Sequence, residues 1–274
     1  MDKNDFLSQM SEDDQRTLAS FRAIGDKGKY DYKVKEKIDA AKRKYGERLN
    51  KFQDYLEKYP SLALNVSLGR KLFKEITAET ASHCTISGDW FRGRVVNESR
   101  VYNNGDMFAP PAGTVGDGRY HHAGQSVLYL SEKKDIAVGE TIENLNDSVL
   151  VWLQEYTITQ IPKILDLSND WSKIELIESA AMIAVLSSHV LNQSVDDRNK
   201  KCKPQYSITC FVSDCARSAG FNGIRYTSSC GYGDNVVIFN WNETNIKPKG
   251  DPKIFIHKPK SDKDKYNRSF EYLF

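Results

Sequence analysis

Near Ala81 the spacing of apolar residues changes, and the change sets what each part of the chain can fold into. From about Ser11 to Ile76 the residues are rich in Lys, Glu, Asp and Arg. Ile38, Leu49, Phe52, Tyr55 and Leu56 recur there mostly at three- and four-residue intervals. Side chains so spaced share one helical face, so the stretch reads as two to four amphipathic helices. Ser11 ahead of Asp13 and Asp14 is a helix start, and Pro60 closes the second helical run. After Ala81 the apolar runs are short and bounded by Gly, Pro and Asn. Asp89 to Val96, Ser126 to Leu130, Val149 to Tyr156, Lys163 to Leu167, Gly223 to Thr227 and Val236 to Asn240 are predicted strands. Helical patterns lie between them at Asp135 to Leu145, Ser172 to Leu191 and Tyr206 to Ala219, the last ended by Gly220. Strands interleaved with helices predict an α/β or α+β fold with a mixed sheet, flanking helices and a helical N-terminal extension. The expected division is a helical region over 1–80 and a second unit over 81–274.

Charge and cysteine usage narrow the partners. The 274 residues carry 39 basic and 37 acidic side chains, a balance that gives no global argument for nucleic acid or a membrane surface. Lys258-Pro-Lys-Ser-Asp-Lys-Asp-Lys, in a basic tail that begins near Lys247, mixes both signs and reads as a solvated loop rather than a nucleic-acid arm. Cys84, Cys202, Cys210, Cys215 and Cys230 form an odd, irregular set that suits reduced thiols. The first residues have no signal-type apolar core, and no apolar run approaches the roughly 18 residues of a membrane span. The expected compartment is the cytoplasm.

The densest run of unusual residues begins Met107-Phe-Ala-Pro-Pro-Ala-Gly, continues through Gly118-Arg-Tyr-His-His-Ala-Gly and Val127-Leu-Tyr-Leu, and ends at Glu140 in Ala137-Val-Gly-Glu. It is a glycine-punctuated loop carrying a cation, then an apolar strand bearing Tyr129, then a helix start that places a carboxylate. Arg119, between Gly118 and Tyr120, sits where a flexible backbone lets a guanidinium meet a phosphate or carboxylate bidentately. Separately, these pieces are an exposed turn, a core tyrosine and a carboxylate serving a helix dipole; their order is what carries meaning. Other readings weigh less. Cys210 and Cys215 with His121 or His122 could form a thiol site, but five-residue spacing on a buried helix favours structural thiols. Adjacent histidines without a Cys-x-x-Cys are a poor zinc set. Gly231-Tyr-Gly-Asp-Asn lacks the Lys-Ser/Thr of a phosphate loop and reads as a turn between strands.

Four blocks in this order resemble the RES domain family, named for its Arg, Glu and Ser residues, whose members are toxins of bacterial toxin–antitoxin pairs. The blocks are Phe91-Arg-Gly-Arg, Gly118-Arg-Tyr-His-His-Ala-Gly with Val127-Leu-Tyr-Leu, Ala137-Val-Gly-Glu, and Ala219-Gly-Phe-Asn-Gly-Ile-Arg-Tyr-Thr-Ser. His121 stands where the family commonly has Asn. The resemblance implies a fold related to ADP-ribosyltransferases, with 81–274 as the NAD⁺-binding catalytic domain. It assigns Arg119 to the Gly-Arg motif, Tyr129 to the tyrosine of the apolar strand, Glu140 to the glutamate and Ser228 to the serine of Tyr-x-Ser. Arg92 matches the first arginine block, with Arg94 the alternative for that role. Cleaving the nicotinamide–ribose bond passes through a ribosyl cation of oxocarbenium character, so a nearby anion is needed. On this reading Glu140 stabilises that cation, Arg119 and Arg92 clamp the pyrophosphate, Tyr129 packs on nicotinamide, and Ser228 orients ribose or Glu140. No metal and no cofactor beyond NAD⁺ as substrate is implied. Water or phosphate is the expected acceptor. Transfer of ADP-ribose to a protein is the alternative, and a non-catalytic module that docks a partner through Tyr30 to Tyr59 is a third. An antitoxin partner and homo-oligomers follow from the resemblance alone.

Overall fold

The computed structural model describes residues 32–96, 100–142, 148–168, 174, 177–188, 191, 203–230 and 233–257. The expected helix start at Ser11, Cys202 and the charged run from Lys258 lie outside them. Helix α1 (Tyr32–Lys58) buries Val34, Ile38, Ala41, Tyr45, Leu49, Phe52 and Leu56, an unbroken stripe at three- and four-residue steps. It stops before Pro60, which opens a 3₁₀ turn (Pro60–Asn65) leading into α2 (Ser67–Thr77). Leu68, Leu72 and Ile76 of α2 continue the apolar stripe.

Seven strands form one mixed sheet: β1 (His83–Val95), β2 (Leu128–Ser131), β3 (Val149–Leu167), β4 (Gly223–Thr227), β5 (Asp234–Ile238), β6 (Ile246–Pro248) and β7 (Lys253–His257). Between them lie α3 (Lys134–Thr141), α4 (Ala180–Leu186) and α5 (Ser207–Ser218). The expected mixed α/β fold is therefore the observed one. The strands close into a circuit. β1 pairs with β3 and with β2, β2 with β5, β5 with β4, and β4 returns to β3 as the parallel partner. The β1–β2 seam is a single pair, Phe91 opposite Ser131.

Three expectations are corrected. Val149 to Tyr156 and Lys163 to Leu167 belong to one strand of 19 residues. The strand passes through Pro162 and Lys163, the latter at φ 54°, held there by Asn222, whose amide groups donate to the carbonyls of Pro162 (2.8 Å) and Lys163 (3.0 Å). β1 begins six residues before Asp89, because register shifts between Cys84 and Gly88 interrupt the alternation that would have marked it. The region after Lys247 is not all loop, since β6 and β7 pair with the outer edge of β3.

Period-two alternation sorts the strands between two cores. Leu128, Leu130, Val236 and Ile238 point into one with Trp90, Phe108, Trp152 and Tyr156; Val127, Val237 and Phe239 point into the other. That second core also takes the buried faces of α1, α2, α4 and α5, so helices from before and after Ala81 share it. Phe52 of α1 meets Phe211 of α5 edge-on at 5.5 Å. A third, small cluster packs Val138 of α3 and Ile142, just past its end, on Val151.

Candidate functional site

A cleft of about 320 Å³ opens where the β1–β2 seam meets α3 and the loop after Asp117. Strand register builds its floor. Tyr226 of β4 lies opposite Asn235 of β5, Asn235 opposite Ser131 of β2, and Ser131 opposite Phe91 of β1. All four line the cleft, so one row across four strands forms a continuous surface.

Helix α3 supplies one wall. Ala137, itself buried, shares the cleft-facing stripe with Glu140 and Thr141, while Ile136, Val138 and Gly139 are buried away from it. The helix can lie this close to β1 only because residue 93 is glycine. A Cβ there would stand 2.3 Å from Thr141 Oγ1 and 2.7 Å from the Ala137 carbonyl oxygen. Glu140 thus reaches the floor, where its Oε1 accepts 2.7 Å hydrogen bonds from Ser228 Oγ and Asn235 Nδ2. Ser131 Oγ donates to Asn235 Oδ1 at 2.7 Å, and the Cys230 N–H donates to Ser228 Oγ at 3.0 Å. Ser228 itself is buried and acts on the cleft through Glu140.

The opposite wall is a tight turn. Gly118 and His121 exchange backbone hydrogen bonds of 2.9 and 3.4 Å, which puts Arg119 and Tyr120 at the tip. Helix α5 grips this turn from below. Cys210 Sγ approaches the carbonyls of Gly118 (3.4 Å) and His121 (3.5 Å), Ser213 Oγ donates to Tyr120 O (2.7 Å), and His122 pairs with Asp214 (2.8 Å). The buried Tyr120 ring lies 4.7 Å from that of Tyr226. Tyr129, on the wall of the cleft, has its hydroxyl engaged by the Tyr120 N–H (2.9 Å) and by His121 Nδ1 (3.0 Å). Burial, with Cys210 beside Tyr129 and the Glu140 carboxylate beside Tyr226, keeps both tyrosines protonated far above their ordinary range.

His121, where the family commonly has Asn, is therefore the side chain that fixes Tyr129. Burial lowers its pKa from 6.5 to about 4, against a hydrogen bond to the Gly116 backbone that favours the charged ring. A neutral ring, accepting at Nδ1 from the Tyr129 hydroxyl, suits this arrangement. An unfolded chain takes up this proton at about pH 6.5 and the folded one only near 4, so acid favours unfolding between those values. Stability from His121 is complete above 6.5 and falls by about 2 kcal/mol on going from pH 7 to 4.5. His122, raised by Asp214, works in the opposite sense from an exposed position. Urea unfolding at the two pH values, compared with a His121→Asn variant, isolates the effect; equal pH dependence in both chains contradicts it.

Among the described residues, three cations line the cleft. Arg92 Nη1 donates to the Tyr129 carbonyl (3.2 Å), and its buried Nε has no acceptor among the described residues. Burial and the like charge of Arg94 lower it to about 10, so it stays charged at neutral pH. Arg119 donates to the Leu191 carbonyl (2.5 Å) and lies 5.3 Å from the Tyr206 ring. Burial works against its charge, but Tyr206, Tyr226, Tyr120 and Glu140 outweigh it and raise the pKa. Lys203 Nζ donates to the Asp117 carbonyl (2.8 Å). Arg94 does not line the cleft: it turns to the Phe108 carbonyl (3.2 Å) beside the Tyr102 ring.

The structure thus brings Arg92, Arg119, Tyr129 and Glu140 to one cleft with Ser228 behind Glu140, and leaves Arg94 outside. Asn235, Ser131, Tyr226, Tyr206 and Lys203 were not singled out from the sequence. Tyr226 was the most accessible of these, two residues before Ser228 in the Tyr-x-Ser block. Burial pushes the Cys210 and Cys215 thiols up to about 12, which makes them poor nucleophiles. An alkylating reagent at pH 8 should leave both unmodified in the folded chain and modify both after denaturation. Fast labelling of Cys210 in the native protein would contradict its structural role. Among the described residues no three His, Cys, Asp or Glu side chains gather to hold a metal ion, and no helix is long and apolar enough to cross a membrane.

Comparison with curated proteins returns no match. Among solved structures, the crystal structure of the M. tuberculosis MbcT-MbcA toxin-antitoxin complex contains a chain similar to this one. The two are 14% identical, the match covers 70% of this chain and 95% of that one, and the TM-score is 0.45. The RES domain family matches residues 94–254, more than half of the chain and all of the cleft-lining blocks except Phe91-Arg92-Gly93. The chain belongs to the RES domain family.

Proposed function

We propose that this chain is a toxin enzyme that cleaves NAD⁺ at the nicotinamide–ribose bond in the cytoplasm, with water or phosphate taking the ADP-ribosyl group. The observation that carries the reading is that, among the described residues, the charged groups lining the cleft are one carboxylate, Glu140, held by Ser228 and Asn235, and the cations Arg92, Arg119 and Lys203. A dianionic pyrophosphate suits the cations, and a ribosyl cation suits the carboxylate. The aromatic rings of Phe91, Tyr129, Tyr206 and Tyr226 offer apolar surface for nicotinamide.

In the reaction, the bond from ribose C1′ to the nicotinamide nitrogen breaks and its electron pair leaves with neutral nicotinamide. Positive charge develops on the ribose, and Glu140 faces it already oriented, so little reorganisation accompanies bond breaking. Water or phosphate then bonds to C1′, with water releasing one proton. The toxin role and an antitoxin partner are proposed from family membership. The test is incubation of the purified chain with NAD⁺, with and without phosphate, following free nicotinamide and the ribosyl product. Release of nicotinamide is expected. No release under either condition would overturn the reading, and label on a protein instead of a small product would replace water or phosphate as the acceptor.

A further inference from the structure

Glu140 is held from two sides, and the family motif accounts for only Ser228. We propose that Asn235, itself set by Ser131, is a positioning residue for Glu140; this rests on the reaction proposed above. Asn235 and Ser131 are 2% and 5% exposed and stand opposite each other across the β2–β5 ladder. Ser131 Oγ donates to Asn235 Oδ1 at 2.7 Å, which turns the Asn235 amide nitrogen toward Glu140, where Nδ2 donates to Oε1 at 2.7 Å. Donation therefore runs one way, from hydroxyl to amide to carboxylate. The flipped amide would set Oδ1 against a carboxylate oxygen, two acceptors facing each other, so Glu140 selects this orientation and the Ser131 hydroxyl, able to donate or accept, anchors it by donating to Oδ1.

Two donors on one oxygen, arriving from β4–β5 and from β5 alone, restrain the carboxylate more than Ser228 could by itself. A carboxylate oriented before the cation develops stabilises the transition state without raising affinity for the substrate. Loss of Asn235 should therefore appear in kcat rather than KM. The isosteric Asn235→Asp variant keeps the shape of the side chain but replaces the donor with a second carboxylate beside Glu140.

The experiment uses the full chain and NAD⁺. Asn235→Asp is expected to lower kcat for nicotinamide release by roughly 30-fold or more with KM within about threefold. Ser131→Ala should lower kcat by roughly three- to tenfold, and Ser131→Thr, which retains the hydroxyl, should recover most of that loss. A denaturation arm is independent of turnover. Asn235→Asp should lower the unfolding midpoint, and adding Glu140→Gln should recover it, because a glutamine amide can donate to Asp where two carboxylates repel. The doubly substituted chain should stay inactive. Wild-type kcat in Asn235→Asp, or no recovery of the midpoint in the double variant, overturns the proposal. If the wild type releases no nicotinamide, the reaction fails while the midpoint arm still decides whether Asn235 holds Glu140.

Discussion

Replacement of Glu140 by glutamine is expected to slow nicotinamide release by roughly 10²- to 10³-fold while leaving the fold intact. The side chain keeps its size, and Ser228 can still donate to the amide oxygen at residue 140. What disappears is the negative charge opposite the developing ribosyl cation, and one preorganised electrostatic partner in a cleft is worth about 3–4 kcal/mol. On the proposed function, binding of NAD⁺ should change far less, because that reading assigns its pyrophosphate to Arg92, Arg119 and Lys203 rather than to Glu140. Single-turnover release and equilibrium binding, measured on the same preparation, separate the two. Near-normal release by Glu140→Gln would mean that the carboxylate is not the group that faces the reacting sugar.

The second large effect is expected at Gly118, although glycine makes no side-chain contact. A Cβ at this position would lie 2.0 Å from His121 Cε1 and 2.3 Å from Nδ1. His121 is 8% exposed and bound to Tyr129, so it cannot swing aside without releasing that hydroxyl. Gly118→Ala should therefore cost about 1–3 kcal/mol, the usual range for overfilling a packed site, and should lower nicotinamide release at least tenfold. Adding His121→Asn makes room, because asparagine ends at the level of Nδ1 and lacks Cε1, the ring atom nearest the new methyl group. The double variant should be more stable than Gly118→Ala alone by over 1 kcal/mol in urea unfolding. Additive effects of the two substitutions would show that the Gly118–His121 contact does not set the shape of the turn.

The helical half and most strands were legible because they depend on local periodicity. The stripe from Val34 to Leu56 repeats without interruption, and Gly223–Thr227 coincides with its predicted bounds. β3 was read as two strands because its alternation lapses at Thr159 and Gln160, and what carries the chain on past Lys163 is Asn222, reaching in from a distant loop. β6 and β7 were missed in a lysine-rich tail whose strands are short and lie on the outer edge of β3. In the cleft, Arg119, Tyr129, Glu140, Arg92 and Ser228 were reached through motif order. Asn235 was not. It follows Gly233 and Asp234 in a run that reads locally as a turn, and its importance arises only when β5 pairs with β2 across 104 residues of sequence from Ser131.

The single pair that joins β1 to β2 also has a consequence for biosynthesis. Emerging from the ribosome, the chain delivers Arg92, Arg119 and Glu140 long before β4 and β5, yet β2 pairs chiefly with β5 and Glu140 takes its hydrogen bonds from Ser228 and Asn235. Contacts this distant in sequence form late. A chain whose synthesis stops short of Asp234 lacks the strand that anchors β2 and half of the clamp on Glu140. The cleft is thus assembled only after β5 has emerged, so products terminated before Asp234 should lack the NAD⁺-cleaving activity proposed above.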